Sequence, residues 1–158
     1  EGNLFPDNDE RMIFFTKGVI ETVKKLNWSP DVIHLHGWFT SLFPVYLKTY
    51  YKDEPIFADC KIVSSVYAKD FEGVFSKDFQ KKVAFDEIPD KEIILLKNAN
   101  FENLTQLSLN YSDGYVIADA ETPEEIEKSS AAEKIPGLSF EETQQKDALI
   151  NFYSQNII

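Results

Sequence analysis

The sequence has little cysteine, since Cys60 is the only one, and this excludes a disulfide within the chain. A lone thiol is typical of proteins kept in a reducing compartment, so the sequence predicts a cytoplasmic location. It also lacks an apolar run long enough to span a bilayer and a basic-then-apolar opening segment, so neither a transmembrane helix nor a signal peptide is predicted. Because the first residue is Glu1 rather than Met, we expect the chain to begin inside a longer protein.

Positive charge is scarce as well. The chain has 16 Lys and Arg against 27 Asp and Glu, which gives a formal net charge of −11. Such a surface repels a phosphate backbone, and no cluster of basic residues interleaved with aromatics offsets the repulsion locally. The composition therefore excludes nucleic acid and anionic membrane as predicted partners.

Several sequence motifs of enzyme sites are missing. Neither Gly-x-Gly-x-x-Gly nor the P-loop pattern occurs, so no cofactor is predicted. No Gly-x-Ser-x-Gly elbow is present for a nucleophilic serine. Paired acids such as Asp119 with Glu121, or Glu124 with Glu125, are compatible with acid–base work, but Glu124 and Glu125 lie where a helix N-terminus favours acids, so a structural role is predicted for that pair.

Only two histidines occur, His34 and His36, and their spacing puts both on the same face of a strand. No third ligand follows at a spacing typical of zinc sites, so no metal site is predicted. We expect His34 to be buried and bonded to a backbone carbonyl, and His36 to lie near the open end of the strand.

The residues that are present indicate a folded domain. With 158 residues and 43% hydrophobic content the chain can bury a real core, and a single domain over residues 1–158 is the expectation. Apolar residues three and four apart predict an amphipathic helix over Asp9–Leu26. A β-branched run starting at Val32 predicts a strand, the returning helical spacing predicts a helix over Phe39–Tyr51, and Lys61–Tyr67 predicts a second strand.

The remaining elements follow the same alternation. A helix over Phe101–Tyr111 and a strand over Tyr115–Ala118 are predicted. Thr122 is a predicted N-cap, three residues before Glu125, for a helix over Pro123–Lys134 that ends at the following Pro-Gly pair. Phe140–Ile158 is predicted as one closing helix.

Strands alternating with helices predict an α/β fold, a Rossmann-like parallel sheet flanked by helices. The segment Ala68–Asn100 is expected to contain short helices and loop. Because three strands are few for such a layer, we also expect strands to precede Glu1. The residues predicted to be buried in the sheet are Val32, Ile33, Leu35, Ile62, Val63, Val116 and Ile117.

Three segments carry a family resemblance: Asp31–Leu47 (DVIHLHGWFTSLFPVYL), Lys61–Phe75 (KIVSSVYAKDFEGVF) and Leu107–Glu127. The first resembles the Asp-Val-Val-His-x-His-Asp-Trp-His motif and following helix of bacterial glycogen and starch synthases. The second is similar to that family's strand ending in Val-His-Asn and its x-Gly-x-Phe turn. The third resembles the family's helix, turn, strand and Pro-led helix, so the resemblance covers roughly residues 8–135.

The resemblance implies the N-terminal, acceptor-side domain of a GT-B fold, in which two Rossmann-like domains face each other across a cleft. The family's reaction transfers glucose from ADP-glucose to the nonreducing end of an α-1,4-glucan. An α-glucan or oligosaccharide is therefore the expected partner. ADP-glucose is expected to bind only if the full-length protein keeps a donor site.

Some motif positions match the family and others depart from it. His36 and Trp38 match, whereas Gly37 stands at the family's Asp and Phe39 at the final His, which contacts the transferring sugar. Phe has no hydrogen-bonding group to offer a sugar hydroxyl, and losing such groups lowers discrimination strongly.

The second motif shows a similar pattern. Tyr67 stands at the His of Val-His-Asn and Ala68 at the Asn, while Gly73 keeps the glycine of the turn. The candidate substrate-binding residues are therefore His36, Trp38, Tyr67 and Gly73, and no catalytic residue is assigned.

Two hypotheses remain open. In the first, the chain is the acceptor-side part of a starch or glycogen synthase-like glycosyltransferase and is inactive alone. In the second, it is a noncatalytic glucan-binding or protein-interaction module derived from that fold. Trp38 is the residue best suited to stack on a sugar ring, provided that it is exposed at the strand end.

Overall fold

The computed structural model describes residues 4–158. Helices and strands alternate along most of this range, connected by short 3-10 turns and loops. The helices are α1 Asn8–Lys25, α2 Phe43–Lys48, α3 Phe79–Ala84, α4 Phe101–Asn110, α5 Glu124–Glu127, α6 Phe140–Thr143 and α7 Ala148–Phe152. The strands are β1 Val32–His36, β2 Lys61–Val66, β3 Gly114–Ile117 and β4 Gly137–Leu138.

The four strands form one parallel sheet in the order β1-β2-β3-β4. Val32 lies opposite Lys61 at the start of the first pair, and Val63 lies opposite Gly114 in the second. Helices flank the sheet, so the α/β, Rossmann-like class predicted from the alternation of strands and helices is confirmed.

The fourth strand was not predicted. The Pro-Gly pair at 136–137 was interpreted as a helix end, but Gly137 and Leu138 pair with Tyr115 and Val116 of β3. A Cβ on Gly137 would lie 2.3 Å from the Tyr115 ring, so a larger residue here would force that ring to move. A two-residue strand has no periodicity that a sequence pattern can detect.

Helix α1 confirms the first predicted helix to within one residue at each end. Its buried side includes Met12, Thr16 and Ile20, four residues apart, whereas Phe15, Val19 and Leu26, which the apolar spacing predicts on the buried stripe, are exposed. Acidic residues in the first turn and lysines in the last turn complement the helix dipole, which stabilises both ends.

The predicted helix Phe39–Tyr51 is shorter than expected. A 3-10 turn spans Trp38–Thr40, and the α-helix begins only at Phe43. Pro44 sits in the first turn of α2, where its missing N–H removes no helical hydrogen bond.

The predicted helix Pro123–Lys134 is wrong over most of its length. Pro123 has an extended backbone with ψ of 130°, so it caps α5 from outside instead of starting it. The Thr122 hydroxyl is buried without a hydrogen-bond partner, so the predicted capping box does not form. After Glu127 the chain leaves the helix and continues into a short 3-10 turn at Ala132–Lys134.

The single closing helix predicted over Phe140–Ile158 is also wrong. Helix α6 ends at Thr143, and Asp147, in a left-handed conformation with φ of 61°, is the N-cap of α7, so two short helices replace the single one. A capping box between Ser139 and Glu142 starts α6. A π-helical turn over Tyr153–Ile157 follows α7.

The core lies on both faces of the sheet. The larger cluster, which includes Tyr46, Phe79 and Leu104, packs on one face with Ile62 and other alternate strand residues. The smaller cluster on the opposite face consists of Val63, Val116, Leu138, Phe152 and Ile157. The segment that follows β4 therefore covers the second face.

Five of the seven residues predicted to be buried in the sheet are buried. Val32 and Ile33 are only half-buried. Both belong to β1, which pairs with β2 on one side only and is an edge of the described sheet. Within residues 4–158 no helix is both long and apolar enough to cross a membrane.

Candidate functional site

Strands β1, β2 and β3 end beside a cavity of about 290 Å³. The residues that follow the strands line it, among them Trp38 after β1, Tyr67 after β2 and Asp119 after β3. Thr105 and Ser108 of α4 are also in its lining. This is the carboxyl edge of a parallel sheet, the place where α/β proteins bind ligands.

Gly37 sets the position of Trp38. Its φ of 75° lies in the left-handed region, which lets the chain turn sharply out of β1. The Thr40 hydroxyl donates a hydrogen bond to the Gly37 carbonyl oxygen over 2.9 Å, and the Thr40 N–H donates to the same oxygen over 3.2 Å. These bonds close the 3-10 turn and fix Trp38 at the cavity wall.

Trp38 is half-buried and held from two sides. Its indole N–H donates to the Asp70 carboxylate over 2.8 Å. Its ring makes edge-on contacts with the buried Phe71 and Phe75, at centroid distances of 5.0 and 5.9 Å. The indole is therefore both partly accessible and restrained, which suits it to be a flat stacking surface.

His36 and Tyr67 are joined by a hydrogen bond between Nδ1 and the phenolic oxygen, 2.9 Å apart. His36 is the last residue of β1 and is exposed, as expected from its place at the open end of the strand. Tyr67 is half-buried and lines the cavity. The structure thus brings three of the four candidate residues to one edge.

Gly73 is separate from the other candidates. It is exposed in the loop after β2, has φ of 92°, and does not line the cavity. Its left-handed backbone turns the chain between Phe71 and Phe75, both of which are buried.

His34 is half-buried and not bonded to a backbone carbonyl, so the predicted partner is wrong. Its Nε2 pairs with the Ser65 hydroxyl at 2.8 Å, and its Nδ1 pairs with the Tyr153 hydroxyl. Burial lowers the pKa of His34 to about 4, helped by the His36 ring 4.3 Å away. The ring is therefore neutral at physiological pH.

Phe39, at the motif position where the family has its final histidine, lies in an aromatic cluster. Its ring is 5.3 Å from that of Trp38 and 5.5 Å from that of Phe15. The side chain is half-buried and offers only apolar surface at this position.

Two carboxylates of the cavity were not among the candidates. Asp119 lies two residues after the end of β3, and its carboxylate accepts the Glu121 N–H over 2.9 Å. Its place after an apolar strand was a usable signal, because side chains there meet the ligand edge. Asp70 had no such signal, since its contact with Trp38 joins residues 32 positions apart.

The one lysine of the cavity lining, Lys69, is paired with neighbouring acids. Lys69 forms ion pairs with Glu72 and Glu102, at 3.2 and 3.4 Å, and the Glu72 hydrogen bond raises the pKa of Lys69. Among residues 4–158, no three side chains of His, Cys, Asp or Glu come together as a metal site. The arrangement offers a flat indole, carboxylate and hydroxyl groups, a combination that suits an uncharged polyhydroxylated ligand.

Comparison with known proteins finds similarity to starch and glycogen synthases. The family profile of the starch synthase catalytic domain matches residues 1–139. The glycogen synthase of Thermotoga petrophila is 32% identical over 136 residues, covering 84% of this chain and 27% of the relative. The glycogen synthase of Clostridium perfringens is 30% identical over 151 residues, covering 92% of this chain and 30% of the relative.

A third relative, the glycogen synthase of Chlorobium limicola, is 44% identical over 81 residues, covering 51% of this chain and 17% of the relative. No solved structure matches the chain. The chain spans less than a third of the length of each of these relatives. Since the profile covers most of the sequence, the chain belongs to the starch synthase catalytic domain family.

Proposed function

We propose that residues 1–158 form one domain, the acceptor-side domain of a GT-B glycosyltransferase, and that this domain binds an α-glucan. The complete protein would transfer glucose from ADP-glucose to the nonreducing end of that glucan. The family membership supports the reaction class, and the glycogen synthase relatives support a glucan and a nucleotide sugar as substrates.

The observation that carries glucan binding is the restrained indole of Trp38 beside the cavity. Sugar rings present apolar C–H faces. An aromatic ring can stack on such a face while the polar groups of both partners keep their hydrogen bonds. Trp38 is held by Asp70 at 2.8 Å and by two aromatic contacts, so little side-chain entropy is lost when a ligand stacks on it.

The polar residues of the cavity complete this role. The carboxylates of Asp70 and Asp119 can accept hydrogen bonds from sugar hydroxyls, and bonds to charged acceptors are stronger than neutral ones. The Tyr67 hydroxyl, joined to His36, can donate to or accept from a further sugar hydroxyl. Gly73 supports the loop that carries Phe71 and Phe75 behind Trp38.

We further propose that the chain alone transfers no glucose. Phe39 stands at the histidine that in the family contacts the transferring sugar, and Tyr67 and Ala68 replace the histidine and asparagine of the second motif. The chain also spans only 27–30% of the relatives that it matches over most of its length. A cytoplasmic location fits both the nucleotide-sugar substrate and the lone cysteine.

A second candidate is a noncatalytic glucan-binding or protein-interaction module. The observation that favours it is the packing of Phe39 between Phe15 and Trp38, which gives this position a structural role in place of sugar contact. In this case the full-length protein would not bind ADP-glucose.

Isothermal titration with maltoheptaose and with ADP-glucose tests these proposals. We expect heat from maltoheptaose with the wild-type chain, and a loss of about tenfold or more in affinity for Trp38→Ala. The matched control is Trp28→Ala, which removes the other tryptophan, 60% exposed and outside the cavity. Equal effects of the two substitutions, or no heat from the wild type, would contradict glucan binding at this edge.

The titration also separates the two candidates. Binding of ADP-glucose by the full-length protein supports the transferase. Binding of maltoheptaose without ADP-glucose by the full-length protein supports the noncatalytic module.

A further inference from the structure

Four ring side chains form a connected row between the segment that follows β4 and the cavity beside Trp38. The Tyr153 hydroxyl bonds to Nδ1 of His34. The rings of His34 and His36 lie 4.3 Å apart and are inclined by 31°. Nδ1 of His36 and the hydroxyl of Tyr67, which lines the cavity, are 2.9 Å apart. Each ring contacts the next, so the row is a physical connection from Tyr153 to the cavity.

The His34 ring is held from two sides. Nε2 pairs with the Ser65 hydroxyl at 2.8 Å, and Nδ1 pairs with the Tyr153 hydroxyl. A neutral imidazole has one donor and one acceptor nitrogen. The arrangement that uses the hydrogens of all three groups within the chain has Tyr153 donating to Nδ1 and Nε2–H donating to Ser65. The ring cannot turn without losing one of these bonds.

His36 depends on its neighbours for its orientation. Its side chain is exposed, and among residues 4–158 its ring has one hydrogen bond, to Tyr67. An exposed side chain exchanges between rotamers unless packing restricts it. The fixed ring of His34 supplies that packing, because it covers one face of the His36 ring. The direction of the bond to Tyr67 is restricted with it.

We propose that Tyr153 is a positioning residue for the Tyr67 hydroxyl, acting through the two imidazoles, and that it thereby raises the affinity of the cavity for a glucan. The inference rests on the proposed glucan binding. A hydroxyl that already has a fixed direction loses less freedom when it bonds to a sugar. Tyr153 lies beyond residues 1–139, which the family profile matches, so the profile does not describe this contact.

The segment around Tyr153 is attached to the sheet by other contacts as well. Phe152 and Ile157 pack on Val63 and Val116. A Cβ on Gly114 would lie 2.4 Å from Ile157, which shows how closely the segment approaches β3. Tyr153→Phe keeps the ring and these apolar contacts. It therefore removes the bond to His34 and leaves the segment in place.

Isothermal titration of the 158-residue chain with maltoheptaose tests the proposal. Tyr153→Phe should lower the affinity about threefold to fivefold, as expected when one orienting hydrogen bond is lost. The matched control is Tyr111→Phe. Tyr111 is half-buried like Tyr153, and its hydroxyl bonds to Glu92, but it does not line the cavity. This control should leave the affinity unchanged.

A double-mutant cycle tests whether Tyr153 acts through Tyr67. In a Tyr67→Phe background, Tyr153→Phe should cause no further loss of affinity, because the hydroxyl that it positions is absent. Additive losses would overturn the proposal, since Tyr153 would then act by another route. An unchanged affinity in the single variant Tyr153→Phe, or an equal loss in Tyr111→Phe, would overturn it too.

Nitrogen-15 NMR of the imidazoles gives a readout that needs no ligand. The chain has two histidines, so both rings can be followed. Tyr153→Phe should shift the signals of His36 as well as those of His34, and Tyr111→Phe should shift neither. Unchanged His36 signals in Tyr153→Phe would overturn the connection between the rings. A wild-type chain that binds no maltoheptaose contradicts the proposed function instead, and the imidazole signals distinguish the two failures.

Discussion

At the scale of single residues, the contact between Trp38 and Asp70 decides how the site can work. A tryptophan side chain at a strand end has several rotamers, and only a fixed one presents a constant face to a ligand. The indole N–H bond to Asp70 and the contacts with Phe71 and Phe75 select one orientation. We therefore regard Asp70 as a positioning residue for Trp38.

Asp70→Ala should weaken maltoheptaose binding about fivefold, because the hydrogen bond that orients the indole contributes on the order of 1 kcal/mol at an exposed position. Asp70→Asn, which keeps an acceptor oxygen, should retain most of the affinity. The measurement is the fluorescence change of Trp38 on titration in a Trp28→Phe background. An equal loss for the two variants would argue that charge, not orientation, is what Asp70 supplies.

The residues at this edge also show which parts of the site can be predicted from the sequence. The motif resemblance selects His36, Trp38 and Tyr67, and their proximity could be predicted because parallel strands bring their carboxyl ends to one edge. The Asp70 contact could not, because it depends on how the loop after β2 folds back over the turn that follows Gly37. Gly73 matches the motif and has a left-handed backbone. A motif match alone does not distinguish a glycine kept for such a backbone conformation from one that contacts a ligand.

Thr16 gives a second prediction at this scale. Its hydroxyl is fully buried in α1 without a hydrogen-bond partner, so it lost its hydration on folding and gained no bond in return. Thr16→Val replaces the hydroxyl with a methyl of similar size and should raise the free energy of unfolding by about 1 kcal/mol in urea titration.

The matched control for Thr16 is Thr105→Val. The Thr105 hydroxyl is buried too, but it donates to the Phe101 carbonyl over 2.9 Å. Its removal should lower the free energy of unfolding by about 0.5–1.5 kcal/mol. If both substitutions destabilise equally, the Thr16 hydroxyl has a partner, such as a buried water.

At the scale of elements, the sequence predicts long amphipathic segments well and short ones poorly. The limits of α1 are predicted to within one residue, although several of its apolar side chains, Phe15 and Val19 among them, are exposed instead of buried. The closing segment, Phe140–Ile158, has enough apolar residues to predict one helix. The left-handed backbone at Asp147 interrupts it. Asp147 is exposed, and the left-handed backbone of a single residue is not recorded in the apolar periodicity.

The closing segment is tied to the sheet through His34. The Tyr153 hydroxyl bonds to Nδ1 of His34 on β1, and Phe152 and Ile157 pack on the same sheet face. Protonating His34 would put a charge beside His36 in a half-buried position. The neutral ring is therefore part of what holds this segment in place.

This gives a pH dependence of stability. The pKa of His34 is lowered to about 4 in the folded chain, against 6.5 when unfolded, so the unfolded state binds more protons between these values. Stability should fall as the pH drops from 6.5 to 4, by about 1–2 kcal/mol after allowing for partial exposure. Urea titrations at several pH values measure the slope, and His34→Gln should flatten it. An unchanged slope in that variant would assign the pH dependence to other groups.

At the scale of the whole molecule, ligand binding and chemistry are separable. The cavity, its indole and its carboxylates lie within the described chain, so we expect the 158-residue chain to retain the proposed glucan binding. Glucose transfer needs more, because the leaving nucleotide must be held and its charge stabilised. The chain corresponds to 27–30% of two of its glycogen synthase relatives, which leaves most of their length for that task.

This separation makes a prediction about the altered motif. Phe39→His restores the family's residue, yet the 158-residue chain should still transfer no glucose from ADP-glucose to maltoheptaose, because one imidazole cannot bind and activate the nucleotide sugar. The ring contacts of Phe39 with Phe15 and Trp38 would be lost, so a stability decrease of about 1 kcal/mol is expected. The measurement is incorporation of labelled glucose, with a bacterial glycogen synthase as positive control and maltoheptaose titration as proof that the variant is folded. Transfer above background would mean that the chain holds a donor site of its own, and the acceptor-side assignment would then be wrong.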